Sequence, residues 1–230
     1  MKLRGAIPGK SLLKLVPGVA ALGLTLTLAA VAFAASPTGH VVQKGGTVAG
    51  QDYAYYMKIV WTQYFADKTA PPRCETIKVN GARVGVVTDF GGGNTTCKEP
   101  AGRPIYINEV SDECSSLPGQ HPLGDSDLEI AKCSWNTEQY ARVIASINTK
   151  NIYHFGRNIW VGTGGTGKAF SVNMPAGRFK GVPAQTVRTY GWGWSLLLKG
   201  FSKGKYVVRS KGQHPNYSVF FRSTVTLDVS

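Results

Sequence analysis

Between Glu138 and Asp228 the chain has no acidic residue at all. Residues 139–230 carry 13 Lys/Arg against Asp228 alone, a net +12, whereas residues 36–138 carry 9 Lys/Arg against 12 Asp/Glu, a net −3. A charge asymmetry of this size marks a face suited to an anionic partner, the competing reading being a solvated surface that keeps the protein soluble. Motifs of catalysis are scarce as well. There is no His-Glu-x-x-His and no His pair at i, i+4, for His40, His121, His154 and His214 are scattered. Gly-x-Ser-x-Gly occurs as Gly200-Phe-Ser-Lys-Gly204, but between two strand-like runs and not at the strand-to-helix turn that a serine nucleophile elbow needs. Long polar helices rich in Glu, Lys and Ala are missing too, while Gly reaches 28 of 230 residues and aromatics 10%. That composition suits an all-β domain with many turns.

Residues 15–35 lack any charge, and Lys2, Arg4, Lys10 and Lys14 precede them. The run closes on Ala32-Phe33-Ala34, a small-x-small site, before Ser36-Pro37. This is the layout of a secretory signal peptide spanning 1–34. An uncleaved N-terminal membrane anchor is the alternative, since about 20 apolar residues also suffice to span a bilayer. Cleavage predicts a secreted or cell-surface protein, with residues 35–51 a flexible linker rich in Gly, Thr, Gln and Ser, and 52–230 a single domain. The leader takes +4 of the chain's +13.

The cysteines fall at 74, 97, 114 and 133. They contain no Cys-x2-Cys pair, and no His pair lies near, so zinc fits poorly. An even number in an exported chain reads as a disulfide framework. Of three possible pairings, Cys74–Cys97 and Cys114–Cys133 each close a local loop, worth roughly 3 kcal/mol in the chain-entropy model.

Tyr53, Tyr56, Met57, Val60, Trp61 and Tyr64 fall on one helical stripe, which Pro71-Pro72 follows. Asn80-Gly81 between 76–79 and 83–88 predicts a hairpin with a type I′ turn. Gly91-Gly92-Gly93 reads as a loose loop, 104–108 as a strand, and Ser126–Glu129 as a capping box opening a short helix to about Cys133. The second half reads as strands at 142–147, 151–155, 169–174, 193–198, 205–210 and 218–229. The predicted fold is mainly β, a β-sandwich or jelly roll with one or two short helices in the N-terminal half.

Three segments carry a family resemblance: Trp61-Thr-Gln-Tyr64 leading to Cys74 and Val84-Gly85; Cys97 to Tyr106 with Glu109 and Asp112-Glu-Cys-Ser115; and Leu196–Gly200, Gly204–Val208 and Thr224–Val229. Across most of the chain after the leader, their order resembles a group of uncharacterised exported bacterial proteins with a β-sandwich-like C-terminal half. The resemblance implies a fold and an export route, and no activity.

Two clusters are candidates for function. Tyr190, Trp192 and Trp194 alternate, so one strand face would hold all three. They either pack a core or form a flat platform for sugar rings, with Arg178, Lys180, Arg188, Lys203 and Lys205 around them and Lys199, Arg209 and Lys211 nearby. Interleaved cations and aromatics also suit single-stranded nucleic acid; export argues against that and favours an anionic envelope polymer or polysaccharide. The other cluster is acidic. Two of Glu109, Asp112 and Glu113 could serve as the carboxylate pair of glycan hydrolysis, and Asp125, Asp127 and Glu129 as a possible Ca²⁺ site; ordinary surface and helix-capping roles compete with both. Gly162–Lys168 has the spacing of a phosphate loop, but Ala169 stands where that loop needs Ser or Thr, so it reads as a hairpin loop and no nucleotide or other cofactor is expected. The leading expectation is a non-catalytic binding module whose basic half docks on an anionic polymer. A secreted hydrolase built on the carboxylates is the alternative.

Overall fold

The computed structural model describes residues 40–43, 45–89, 92–118, 126–137, 142–154, 160–162, 168–213 and 220–230. All of them belong to one unit, Ala35–Ser230. The charge-free leader, Asp125, His121, His214 and most of the 162–168 loop lie outside the described residues. Among the described residues no helix is long and apolar enough to cross a membrane.

The protein is mainly β, sandwich-like, with two helices among the described residues. Helix α1 (Tyr53–Ala66) opens at Asp52, whose backbone is extended and whose carboxylate accepts the Tyr55 N–H at 3.0 Å. Tyr53, Tyr56, Met57, Val60 and Trp61 recur at helical spacing and are buried. Tyr64, expected on the same stripe, is only half-buried; Phe65 fills the core beside it.

Strands β1 (Cys74–Val79) and β2 (Ala82–Thr88) form the predicted hairpin. Asn80 and Gly81 both adopt positive φ, 47° and 84°, as a type I′ turn demands. The first sheet continues from β2 through β4 (Ile105–Ser115) to β9 (Gln185–Leu198). On the far side of β9, β7 (Trp160–Gly162) and β8 (Phe170–Met174) pair with different stretches of it. The second sheet runs β3 (Gly93–Glu99), β11 (Phe220–Val229), β10 (Gly204–Gln213), β5 (Arg142–Ile147), β6 (Lys150–His154). Two pairings are parallel, β2 with β4 and β3 with β11.

Successive side chains of a strand point to opposite faces, and this fixes the layers. Gly191 lies beneath α1, where a Cβ would come within 2.1 Å of Trp61 Cδ1. Only glycine lets the helix approach so closely. The preceding residue, Tyr190, packs on the other face with Cys114 and with Ile130, Ala131 and Cys133 of α2 (Asp127–Thr137). Further along β4, Tyr106 stacks on Tyr56 of α1 at 5.5 Å, which turns Ile105 and Ile107 the other way. There they share a core with Val208, Val225 and Leu227 of the second sheet.

Both predicted disulfides are present, Cys74–Cys97 and Cys114–Cys133. The first ties the two sheets together through β1 and β3, and the second ties α2 to β4. Such bridges persist in an oxidising environment. The stretch expected to be a flexible linker is instead packed from His40 onward. Val41, Val42 and Val48 are buried. Val41 bridges to Leu198, and the Tyr53 and Tyr56 hydroxyls donate to the Val42 and Val48 carbonyls at 2.5 and 2.8 Å. Polar composition suggested a linker; three valines and two tyrosine hydroxyls outweigh it.

Candidate functional site

The outer face of the second sheet gathers positive charge by alternation alone. On β10, Val208 and Ser210 turn inward and are buried, which leaves Lys205, Arg209 and Lys211 exposed on the outside. On β11, Phe221, Ser223, Val225 and Leu227 are buried and Arg222 is exposed. The register sets Lys211 opposite Arg222 and Arg209 opposite Thr224. Ile144 and Ser146 of β5 lie beside Lys211 and Arg209. Together they line a shallow groove of about 690 Å³. Farther along, Lys205 faces Asp228, which has Lys98 of β3 on its other side. Arg222 and Lys98 were not among the residues expected from sequence. The Pro215-Asn216 turn signal midway between Lys211 and Arg222 was the available clue.

The aromatic row is not a sugar platform. Tyr190 and Trp194 are 1% and 3% exposed, and Trp192 is half-buried with its ring stacked on Tyr190 at 5.8 Å. The cysteine bridge to α2 lays a helix over Tyr190 and Trp192, and Trp194 packs into the main core. The cations predicted around that row do not converge either. Arg188 pairs with Asp127 of α2. Arg178 turns inward, its Nε donating to the Tyr64 carbonyl at 2.5 Å. Lys180 and Lys203 are exposed on turns, and Lys205 joins the sheet face.

The predicted carboxylates part company. Glu109 is 1% exposed and accepts a hydrogen bond from Ser210 of the second sheet, so solvent and substrate do not reach it. Asp112 and Glu113 line a half-open cleft of about 660 Å³ at the end of α1. Its walls are Trp61, Tyr64, Leu117, Phe179, Val182 and two prolines, with Gln185 at the side. Thr189 Oγ1 donates to Glu113 Oε2 at 3.1 Å, and Asp112 Oδ1 accepts the Glu113 N–H at 2.8 Å. Burial pushes the Glu113 carboxyl up to about 8; the Thr189 bond opposes this and the Asp112 charge adds to it. The Arg178 guanidinium lies 4.4 Å from the Tyr64 ring centre and 5.1 Å from that of Phe179. The cleft aromatics were missed as site residues because they come from segments far from β4 in sequence.

The possible Ca²⁺ set is otherwise engaged where it is described. Asp127 holds Arg188. Glu129 closes the predicted capping box, accepting the Ser126 N–H at 3.0 Å while Ser126 Oγ receives the Glu129 N–H at 3.3 Å. The Glu129 carboxyl is held below its ordinary value, first by the Ser126 hydroxyl. Among the described residues no three His, Cys, Asp or Glu side chains come together as metal ligands.

No family model matches the chain, and no curated protein matches it. Two solved structures are similar over 63% of its length, each at 11% identity and a TM-score of 0.24. One is the solution structure of amebosin, 96% of which is covered. The other is PbICP-C in complex with falcipain-2, with 98% covered.

Proposed function

We propose that the chain is an exported, non-catalytic binding module that holds an anionic envelope polymer or polysaccharide on the outer face of its second sheet. The observation that carries this reading is the register of β10 and β11, which puts Arg209, Lys211 and Arg222 around one groove. Cross-strand neighbours stand about 5 Å apart, so three cations share a patch that sulfate, phosphate or carboxylate groups along a polymer can bridge. The signal-like leader and the two disulfides support export.

Binding between exposed charges is screened over about 10 Å at 0.1 M salt. The chain should therefore be retained on immobilised polygalacturonate in dilute buffer and released as salt rises to about 0.5 M. Arg209→Glu with Lys211→Glu should weaken retention at least tenfold. Equal retention on uncharged dextran, or no change in the double variant, would overturn the reading.

A further inference from the structure

The cleft at the end of α1 lies on the side of the first sheet away from the second sheet, so its chemistry is separate from the basic face. Three observations define what it can hold. Its walls are aromatic and aliphatic: Trp61, Tyr64, Phe179, Leu117 and Val182. Its polar groups are few: Asp112 and Glu113, consecutive on β4, and Gln185, six residues along β9 from Gly191, the partner of Glu113. One aromatic face is already taken, because the Arg178 guanidinium covers the Tyr64 ring and approaches Phe179.

These facts sort the ligand classes. An organic cation would seek the aromatic faces, but Arg178 stands on one of them and would repel it. An anion would meet Asp112 and Glu113. What remains is an uncharged molecule with an apolar face and a polar edge. Pockets of 300–1,000 Å³ with apolar walls and a few placed polar groups are typical of small-ligand sites, and a pyranose ring has this two-sided character. Its C–H face lies on aromatic rings while its hydroxyls exchange hydrogen bonds with carboxyl and amide groups.

We propose that this cleft binds a neutral pyranose unit of a glycan, with Phe179 against the ring and Glu113 on its hydroxyls. Glu113 enters as a neutral acid that both donates and accepts. Near neutral pH its raised affinity for the proton keeps it in that form. The charged or titratable groups around it are Asp112 on its own strand, Tyr64 on α1 and Arg178 on the β8–β9 connection, which acts through Tyr64.

The test is calorimetry and NMR on the folded chain with three probes: cellotriose, tri-N-acetylglucosamine and choline. Saturable binding of at least one trisaccharide is expected near pH 6.5, with a shift of the Trp61 indole N–H resonance in the unmodified protein. Affinity should fall at least threefold near pH 9, as Glu113 ionises in the cleft. Phe179→Ala should weaken binding several-fold, and Glu113→Gln should bind with no pH dependence between these values. Because the trisaccharides are uncharged, their affinity should not respond to salt, which separates this site from polymer binding on the sheet face. The proposal is overturned if neither sugar gives saturable binding, or if the Trp61 signal stays in place while a sugar binds. Choline binding that strengthens as pH rises would overturn it too, since that outcome assigns the cleft to a cation.

Discussion

Glu109 and Glu113 sit on the same strand, four residues apart, and meet opposite surroundings. Glu109 lies between the two sheets and takes the Ser210 hydroxyl. Asp89 does the same after β2, accepting from Ser223 at 2.5 Å. Ser210 and Ser223 are register partners on β10 and β11. Two acids from the first sheet thus meet two adjacent hydroxyls of the second. Glu113 lies past the edge of that contact, in a cleft that none of the described second-sheet residues lines. The difference teaches that reach, not residue type, decides the role: under the second sheet a carboxylate fastens layers, and beyond it the same group faces a ligand. The sharpest break of this contrast is Glu109→Ala. It leaves a cavity and a buried Ser210 hydroxyl without that acceptor, and should cost about 3 kcal/mol, read by urea unfolding. A loss below about 1 kcal/mol would mean that Glu109 does not fasten the sheets.

Glu113 should show itself through pH. Its proton leaves the unfolded chain near the ordinary 4.5 and the folded chain near 8. Below the lower value both states are protonated, and its contribution to folding is fully favourable. Between the two, the unfolded chain ionises while the folded chain keeps its proton, so stability falls as pH rises through this window. Above the folded value the loss is complete and the slope vanishes. Glu113→Gln removes the group that titrates. Near pH 4 the variant and the parent should be about equally stable, and by pH 8 the variant should be more stable by about 3 kcal/mol. Parallel stability–pH curves for the two proteins would show that burial in the cleft does not hold the proton.

Local chemistry made part of this legible in advance. Asn80-Gly81, Ser126–Glu129 and the spacing of four cysteines are short-range signals, and each appears as a hairpin, a cap or a bridge. Long-range pairing left weaker traces. Strand β3 begins in a glycine run and has no hydrophobic alternation of its own; it is a strand because residues 93–99 lie parallel to 223–229. Residues 185–189 of β9 were not read as a strand, and Gly191 just beyond them is the residue that admits Trp61. The site divided in the same way. Asp112 and Glu113 stood out as neighbouring carboxylates, whereas Phe179 and Tyr64 meet them only through folding. The alternation of Tyr190, Trp192 and Trp194 was real, but a lone strand pattern says nothing of a helix laid over it by the Cys114–Cys133 bridge.

Asp127 supplies the third point on the scale that Glu109 and Glu113 define. It pairs with Arg188 across α2 and β9, and both side chains are 41% exposed. Water competes for each charge there, and holding two long side chains in one geometry costs entropy. Such pairs contribute about 0.5 kcal/mol, with a similar amount from a negative charge in the first turn of a helix. Asp127→Asn should therefore lower stability by no more than about 1 kcal/mol, and the difference should shrink in about 0.5 M salt. The effect of Glu109→Ala should not respond to salt, because its carboxylate is sealed from the ions. If Asp127→Asn proved as costly as Glu109→Ala, and equally indifferent to salt, burial would not be what grades the acids of this protein. The contrast between the inter-sheet glutamate and the cleft glutamate would then need another cause.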